Sequence, residues 1–252
     1  MQTYLVNLDR SLDRLAIMTE RLASIGIAWE RIPAVDGKLL GAEQKSAVNS
    51  PNWKFPTRLT PGEIGCMMSH RRCWERFLST HDEWLLVIED DCVFSNQSFK
   101  YLSNPDWIPV GVDLVQFSTV NEPAYSDQEI ALPEFNNSLY RIKYSSPKGT
   151  YGYFISRKAA KLALSMSEVI EEPADNFMFG YYSEFAKKIP YYRLAKGIIK
   201  VLDDVPTTIP EKGGHKEWNL HRLSWKRFCS KLKMTALRKQ CQVIHQQWLD
   251  ES

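Results

Sequence analysis

Apolar and polar positions along the chain switch between two periods. Tyr4-Leu5-Val6-Asn7-Leu8 is a short apolar run of the kind a buried strand needs. Leu15, Met18, Leu22 and Ile25 follow at helical spacing, and Gly26 supplies the stop. A second short strand is predicted around Trp29–Pro33, ahead of the turn signal Asp36-Gly37. Strand, helix and strand within about 30 residues predict a βαβ unit with a parallel pair. Residues 37–59, rich in Asn, Pro and Ser, read as a surface loop. Thr60-Pro61-Gly62-Glu63 then combines a capping box with proline at the first helical position, opening a helix to about Ser79. The apolar run Trp84–Ile88 predicts a buried strand that ends in Glu89-Asp90-Asp91. Further strands are expected at Leu114–Ser118, Tyr140–Tyr144, Tyr153–Ser156 and Ile198–Leu202, with helices at 157–167 and about 175–187. Alternating elements without repeats predict an α/β fold, one domain over residues 1–205 with an appendage over 206–252.

The chain has 252 residues, 44% hydrophobic and 25% charged, which excludes a disordered polymer. No apolar run approaches the roughly 20 residues of a membrane span, and the N-terminus lacks the pattern of a secretory signal. Five cysteines at 66, 73, 92, 229 and 241 form no metal-knuckle spacing and fit reduced thiols, so a cytoplasmic location is expected. A net charge of +2 argues against a nucleic-acid partner. That average hides an asymmetry: residues 222–239 carry seven basic side chains and no acidic one. From Trp225, apolar residues Phe228, Cys229, Leu232 and Ala236 recur at helical spacing there. A basic amphipathic helix reads either as a contact with anionic lipid or as a packed helix with a solvated face.

Carboxylates closing a buried strand call for an explanation, because ligands of open α/β sheets bind beyond the carboxyl ends of the strands. Adjacent like charges raise one another's pKa unless a cation intervenes, and a hard dication takes oxygen ligands and bridges them to phosphates. A divalent-metal site at Glu89-Asp90-Asp91 competes with a solvated turn.

The stretches Val6-Asn7-Leu8-Asp9-Arg10, Arg14, Pro33-Ala34-Val35-Asp36-Gly37, Gly62-Glu63-Ile64-Gly65-Cys66, Ser69-His70, Ile88-Glu89-Asp90-Asp91 and Gly149-Thr150-Tyr151-Gly152-Tyr153 occur in this order. Together, over about residues 2–205, they resemble glycosyltransferase family 25, the bacterial lipooligosaccharide transferases related to collagen galactosyltransferases. The resemblance implies a GT-A-like, Rossmann-like sheet flanked by helices, a UDP-sugar donor (UDP-galactose commonest) and a lipooligosaccharide acceptor. It also implies an inverting reaction assisted by Mn²⁺ or Mg²⁺. Asp90 and Asp91 are then the expected metal ligands, with Glu89 toward the acceptor. His215, in Lys212-Gly213-Gly214-His215, is a late metal ligand or an exposed loop histidine.

Asn7, Asp9, Arg10, Arg14, Asp36, Ser69, His70 and Asp90 are the donor-side candidates. For His70 a satisfied core histidine is the competing reading, and for the arginines a solvated surface. Asp175, with Glu172 second, is the candidate base for the acceptor hydroxyl, although Asp175 also reads as a helix cap. Tyr151 and Tyr153 either face the acceptor sugar or pack across strands. A glucosyltransferase using UDP-glucose and a non-catalytic carbohydrate-binding protein are the alternatives. A sugar nucleotidyltransferase would need a glycine-rich loop after the first strand, and this sequence has none.

Overall fold

In the computed structural model, the described residues are 1–47, 58–117, 123–145, 149–201, 235 and 239–251. The first unit is β1 (Gln2–Asn7), α1 (Leu12–Ser24) and β2 (Glu30–Pro33), with β1 and β2 parallel as expected. Gly26 ends α1 at φ +68°, a conformation glycine adopts without strain. After a 3₁₀ turn at Gly37–Leu39 come α2 (Ala42–Ala47) and α3 (Pro61–Leu78), which crosses back to β3 (Trp84–Glu89). The reciprocal capping box of Thr60 and Glu63 is present. β3 lies beside β1 and parallel to it, on the side away from β2. Strand order therefore reverses at β1 and β3, the switch point at which an open sheet leaves a crevice.

The chain continues through β4 (Cys92–Phe94), α4 (Ser98–Leu102), β5 (Leu114–Gln116), β6 (Ala124–Leu132) and β7 (Asn137–Tyr144). β8 (Gly152–Ser156), α5 (Arg157–Met166), α6 (Ala174–Phe179), α7 (Glu184–Lys188) and β9 (Tyr192–Leu194) follow. Then come β10 (Lys196–Gly197), β11 (Ile199–Val201), β12 (Gln242–Ile244) and β13 (Gln247–Trp248). Among the described residues nine strands form one mixed sheet in the order β12-β6-β7-β9-β5-β8-β3-β1-β2.

The period-2 geometry of β3 explains its unbroken apolar run. Leu85 and Val87 face a core built with Trp74, Phe77 and Phe177 of α3 and α6. Leu86 and Ile88 face the opposite core, with Met18 and Leu22 of α1 and Tyr101 of α4. A strand covered on both faces has no polar side to show. The fold is the expected α/β sheet flanked by helices.

Four expectations change. Residues 37–47 are not simply loop: the turn at Gly37 is buried against α3, and α2 follows. The single helix expected over 175–187 is two, broken where Gly180 lies so close to the Asn176 carbonyl that a Cβ would stand 2.3 Å from that oxygen. Ser183 then caps the second helix through the Ala186 N–H. β6 went unread because its middle, Asp127–Glu129, is polar and exposed. Residues 242–248, expected in a helical appendage, instead return as strands: β12 pairs with β6 and β13 with β10. Residues 202–234 and 236–238, and with them His215 and most of the basic stretch, lie outside the described residues.

Candidate active site

The carboxyl ends of β1 and β3 deliver their side chains to one place. Asn7, the last residue of β1, is 1% exposed; its Nδ2 donates to the Ser11 carbonyl at 2.9 Å and to Asp90 Oδ2 at 2.7 Å. Its Oδ1 accepts from Arg31 Nε at 3.1 Å. Arg14, one turn into α1, donates from Nη1 to Asp90 Oδ1 at 3.0 Å and stands 4.0 Å from Asp91 Oδ2. Both oxygens of Asp90 are thus engaged by the protein.

Asp91 is not so served. Its Oδ1 is buried and has no hydrogen-bond partner among the described residues. Burial, reinforced by the charges of Glu89 and Asp90 and only partly offset by Arg14, pushes its pKa up to about 7. A buried, unpaired carboxylate oxygen is costly, and three acids in a row make a cation the natural complement.

Glu89 is held differently. Its Oε1 lies 3.2 Å from His70 Nε2 and accepts a short bond from the Thr150 hydroxyl, while its backbone N–H donates to the Tyr151 carbonyl at 2.7 Å. Burial pushes the Glu89 pKa up, but His70, the Thr150 hydroxyl and the Tyr151 backbone N–H, all toward the carboxylate, outweigh it and hold the group below its ordinary value. His70, 1% exposed, faces the Tyr153 hydroxyl from Nδ1 at 2.9 Å and Thr150 Oγ1 from Nε2 at 3.0 Å. Both ring nitrogens are therefore occupied. Tyr153 is fully buried and also accepts from Trp74 Nε1 at 3.1 Å, so it supports His70 from behind and presents no face to a sugar.

A cavity of about 350 Å³ opens over this cluster, between the strand ends and the start of α3. That is within the range of small-ligand sites. Asn7, Arg10, Arg14, Asp36, Ser69, His70, Glu89, Asp90 and Asp91 all line it. Arg10 pairs with Asp36 at 2.6 Å, and the guanidinium holds the Asp36 carboxyl below the usual carboxylate range. Asp36 also caps the 3₁₀ turn through the Lys38 N–H. Ser69 donates to the Gly65 carbonyl at 2.6 Å and accepts from Val35 N at 2.8 Å, pinning α3 to the turn. Close approach there needs glycine: a Cβ on Gly37 would lie 1.6 Å from the Pro61 carbonyl oxygen, and one on Gly65 2.5 Å from that of Val35.

Other expected residues lie elsewhere. Asp9 is exposed and pairs with Arg31 at 2.6 Å, away from the cavity lining. Asp175 is not an N-cap, since Pro173 occupies that place. Its Oδ2 accepts from the Gly149 N–H at 3.1 Å, on the segment that carries Thr150 and Tyr151. The Cys66 thiol, which lines the cavity, is raised first by burial and then by Glu89, Asp175 and Asp91, so the Asp175 charge reaches the cluster. Glu172 is half-buried in the approach to α6, outside the cavity lining. Tyr151 is half-buried at φ +44°, a left-handed conformation unfavourable for an aromatic residue. Its ring covers Gly149, where a Cβ would lie 2.3 Å from Tyr151 Cζ.

Sequence reasoning passed over Lys38 and Cys66 in the lining, Arg31 behind Asn7, and the role of Thr150. The signal for Thr150 was its place in the Gly149–Tyr153 motif; the others become visible only when the turn docks on α3.

Residues 1–178, which contain every group just described, match the model of "Glycosyltransferase family 25 (LPS biosynthesis protein)". The chain belongs to glycosyltransferase family 25. Among family relatives, this family 25 chain is 29% identical over 125 residues to the lipooligosaccharide biosynthesis protein lex-1 of Haemophilus influenzae, covering 48% of this chain and 41% of that protein. It is 31% identical over 198 residues to procollagen galactosyltransferase 2 of Homo sapiens, covering 73% of this chain and 30% of that one. The chain thus spans less than half the length of either relative. A crystal structure of a glycosyltransferase involved in glycosylation of the major capsid of PBCV-1 aligns with 81% of this chain and 93% of its own, at 13% identity and a TM-score of 0.41.

Proposed function

We propose that this family 25 chain transfers a hexose, galactose first, from a UDP-sugar to a lipooligosaccharide core, with inversion and with Mn²⁺ or Mg²⁺. The observation that carries the reading is Asp91, a half-buried residue whose buried Oδ1 lacks a partner among the described residues, beside two further acids in a cavity at the strand switch point. Likeness to a lipooligosaccharide biosynthesis protein supports the acceptor class, and likeness to a procollagen galactosyltransferase supports galactose.

The oxygens at the end of β3 fit a hard dication. Asp91 is the first ligand, because Asp90 is already bound by Asn7 and Arg14. Cys66, His70 and Glu89 also converge, with ligand atoms within 4.8 Å of one another, but His70 has both nitrogens engaged and the Cys66 thiol is held protonated by burial. A dication held by Asp91 would supply charge neutralisation for the departing diphosphate. Arg10, Arg14 and Lys38 add fixed positive charge for phosphate oxygens. Asp175, held by the Gly149 N–H next to Thr150, takes the proton of the acceptor hydroxyl as that oxygen bonds to the anomeric carbon and the diphosphate departs. A base and a leaving group on opposite sides are what inversion requires.

Release of UDP from a panel of UDP-sugars, with and without Mn²⁺ and acceptor, tests this reading. The expected result is Mn²⁺-stimulated release, greatest with UDP-galactose and reduced at least 100-fold in Asp91→Asn and Asp175→Asn variants. Preference for UDP-glucose would reassign the donor; no release from any donor would refute the transferase reading. We also propose that the basic stretch 222–239 holds the enzyme on anionic membrane, near a lipid-linked acceptor.

A further inference from the structure

Arg193 of β9 is 3% exposed, yet among the described residues its hydrogen-bond partners are neutral. Nε donates to Gln116 Oε1 at 2.7 Å, Nη2 donates to Ser145 Oγ at 3.1 Å, and the guanidinium lies 5.5 Å from the centre of the Tyr191 ring. Burial lowers its pKa, and Tyr191 is the group that pulls the other way. A guanidinium sequestered in this way is expensive to keep, because its lost hydration is not repaid by a counter-charge. An apolar residue would pack the site at lower cost.

The geometry shows what the charge does. Ser145 is the residue just before 146–148 and Gly149 the one just after. Arg193 grips Ser145 directly, and through Gln116, whose Nε2 donates to the Gly149 carbonyl at 3.4 Å, it reaches Gly149 as well. Ser145 is braced again by the Tyr191 hydroxyl at 2.9 Å. Gly149 presents its N–H to Asp175, and the next residue places its hydroxyl on Glu89. Tyr151 sits at φ +44°, a conformation an aromatic residue does not favour, so this stretch does not hold its shape by local preference. Five donors in a rigid fork suit a residue that must hold two anchors at once.

We infer that Arg193 is a positioning residue: by holding Ser145 directly and Gly149 through Gln116, it fixes the backbone at Gly149-Thr150 that orients Asp175 and Glu89. The catalytic consequence rests on the transferase reading above; the clamp itself does not. Arg193→Met and Arg193→Lys are compared with the parent by hydrogen–deuterium exchange over residues 149–151 and by steady-state UDP release. Gln116→Glu serves as a second variant: it keeps an acceptor for Arg193, supplies a counter-charge and removes the donor to Gly149.

In Arg193→Met and Gln116→Glu, exchange over 149–151 should accelerate at least 10-fold, while kcat falls at least 10-fold and KM for the UDP-sugar changes less than 3-fold. Arg193→Lys should recover part of both losses. Parent-like exchange and kcat in a folded Arg193→Met or Gln116→Glu protein would overturn the inference. Accelerated exchange in variants of a parent that itself transfers no sugar would uphold the clamp and remove the function it was meant to serve.

Discussion

Asp91 shows how one residue can carry both a cost and a use. Its carboxyl, with an ordinary pKa of 3.8, is pushed up to about 7 by burial and by its acidic neighbours. An acid that binds its proton more tightly when folded stabilises the fold at low pH, and that contribution is lost as pH rises through the folded pKa. Without added metal, stability should therefore decline between about pH 4 and pH 7 and level off above. Asp91→Asn removes the titration, so at pH 8 the variant should be more stable than the parent by about 4 kcal/mol, and at pH 4 no more stable. Thermal melts at the two pH values check this; the same difference at both would contradict the origin assigned to it. Addition of Mn²⁺ should raise the melting temperature of the parent and leave that of Asp91→Asn unchanged.

At the scale of elements, the site depends on how tightly the turn at 35–37 docks on the start of α3. Gly65→Ala adds a methyl group 2.5 Å from the Val35 carbonyl oxygen. Helix propensity alone would favour alanine by about 1 kcal/mol, but the clash should win and destabilise the protein by about 2 kcal/mol. Gly41→Ala, where the nearest atom is the side-chain Gln44 Oε1 at 3.7 Å, should stay within about 0.5 kcal/mol of the parent. Chemical denaturation of the two variants tests the pair; equal stability would remove the docking argument.

These elements were legible in the sequence to the extent that their signals are local. The capping box of α3, the doubly buried run of β3 and the βαβ start depend on neighbours in the chain, and they stand where the pattern puts them. The polar middle of β6 carries no such signal, because pairing with β7 rather than an apolar face makes it a strand. The site divides in the same way. Carboxylates at a strand end could be read directly, whereas Tyr153 read equally as facing an acceptor sugar or packing across strands until the fold placed it behind His70. Which of Asp90 and Asp91 lacks a partner is decided by Asn7 and Arg14, one on a neighbouring strand and the other on the helix after it.

For the whole molecule, the last described strands bind the chain's end to its body. β12 lies on the edge of β6, and the Asp250 carboxylate accepts from the Ser95 hydroxyl at 2.7 Å beside β4. Truncation at 222 would strip the sheet edge along with the basic stretch, so charge reversal is the cleaner test of membrane contact. No helix among the described residues is long and apolar enough to cross a membrane. Changing Lys226, Arg227, Lys231 and Lys233 to Glu should reduce sedimentation with phosphatidylglycerol vesicles at least 10-fold, since each basic residue near such a surface contributes about 1 kcal/mol. Equal sedimentation would leave the stretch without a lipid role.

The central claim is that the acids closing β3 hold a dication against the diphosphate of a nucleotide sugar. Calorimetric titration of UDP into the parent and into Asp91→Asn, each with and without Mn²⁺, tests it most directly. The account predicts UDP binding to the parent that tightens at least 10-fold with Mn²⁺, and no such gain in the variant. Tight UDP binding that ignores Mn²⁺, or an equal Mn²⁺ gain in both proteins, would contradict it.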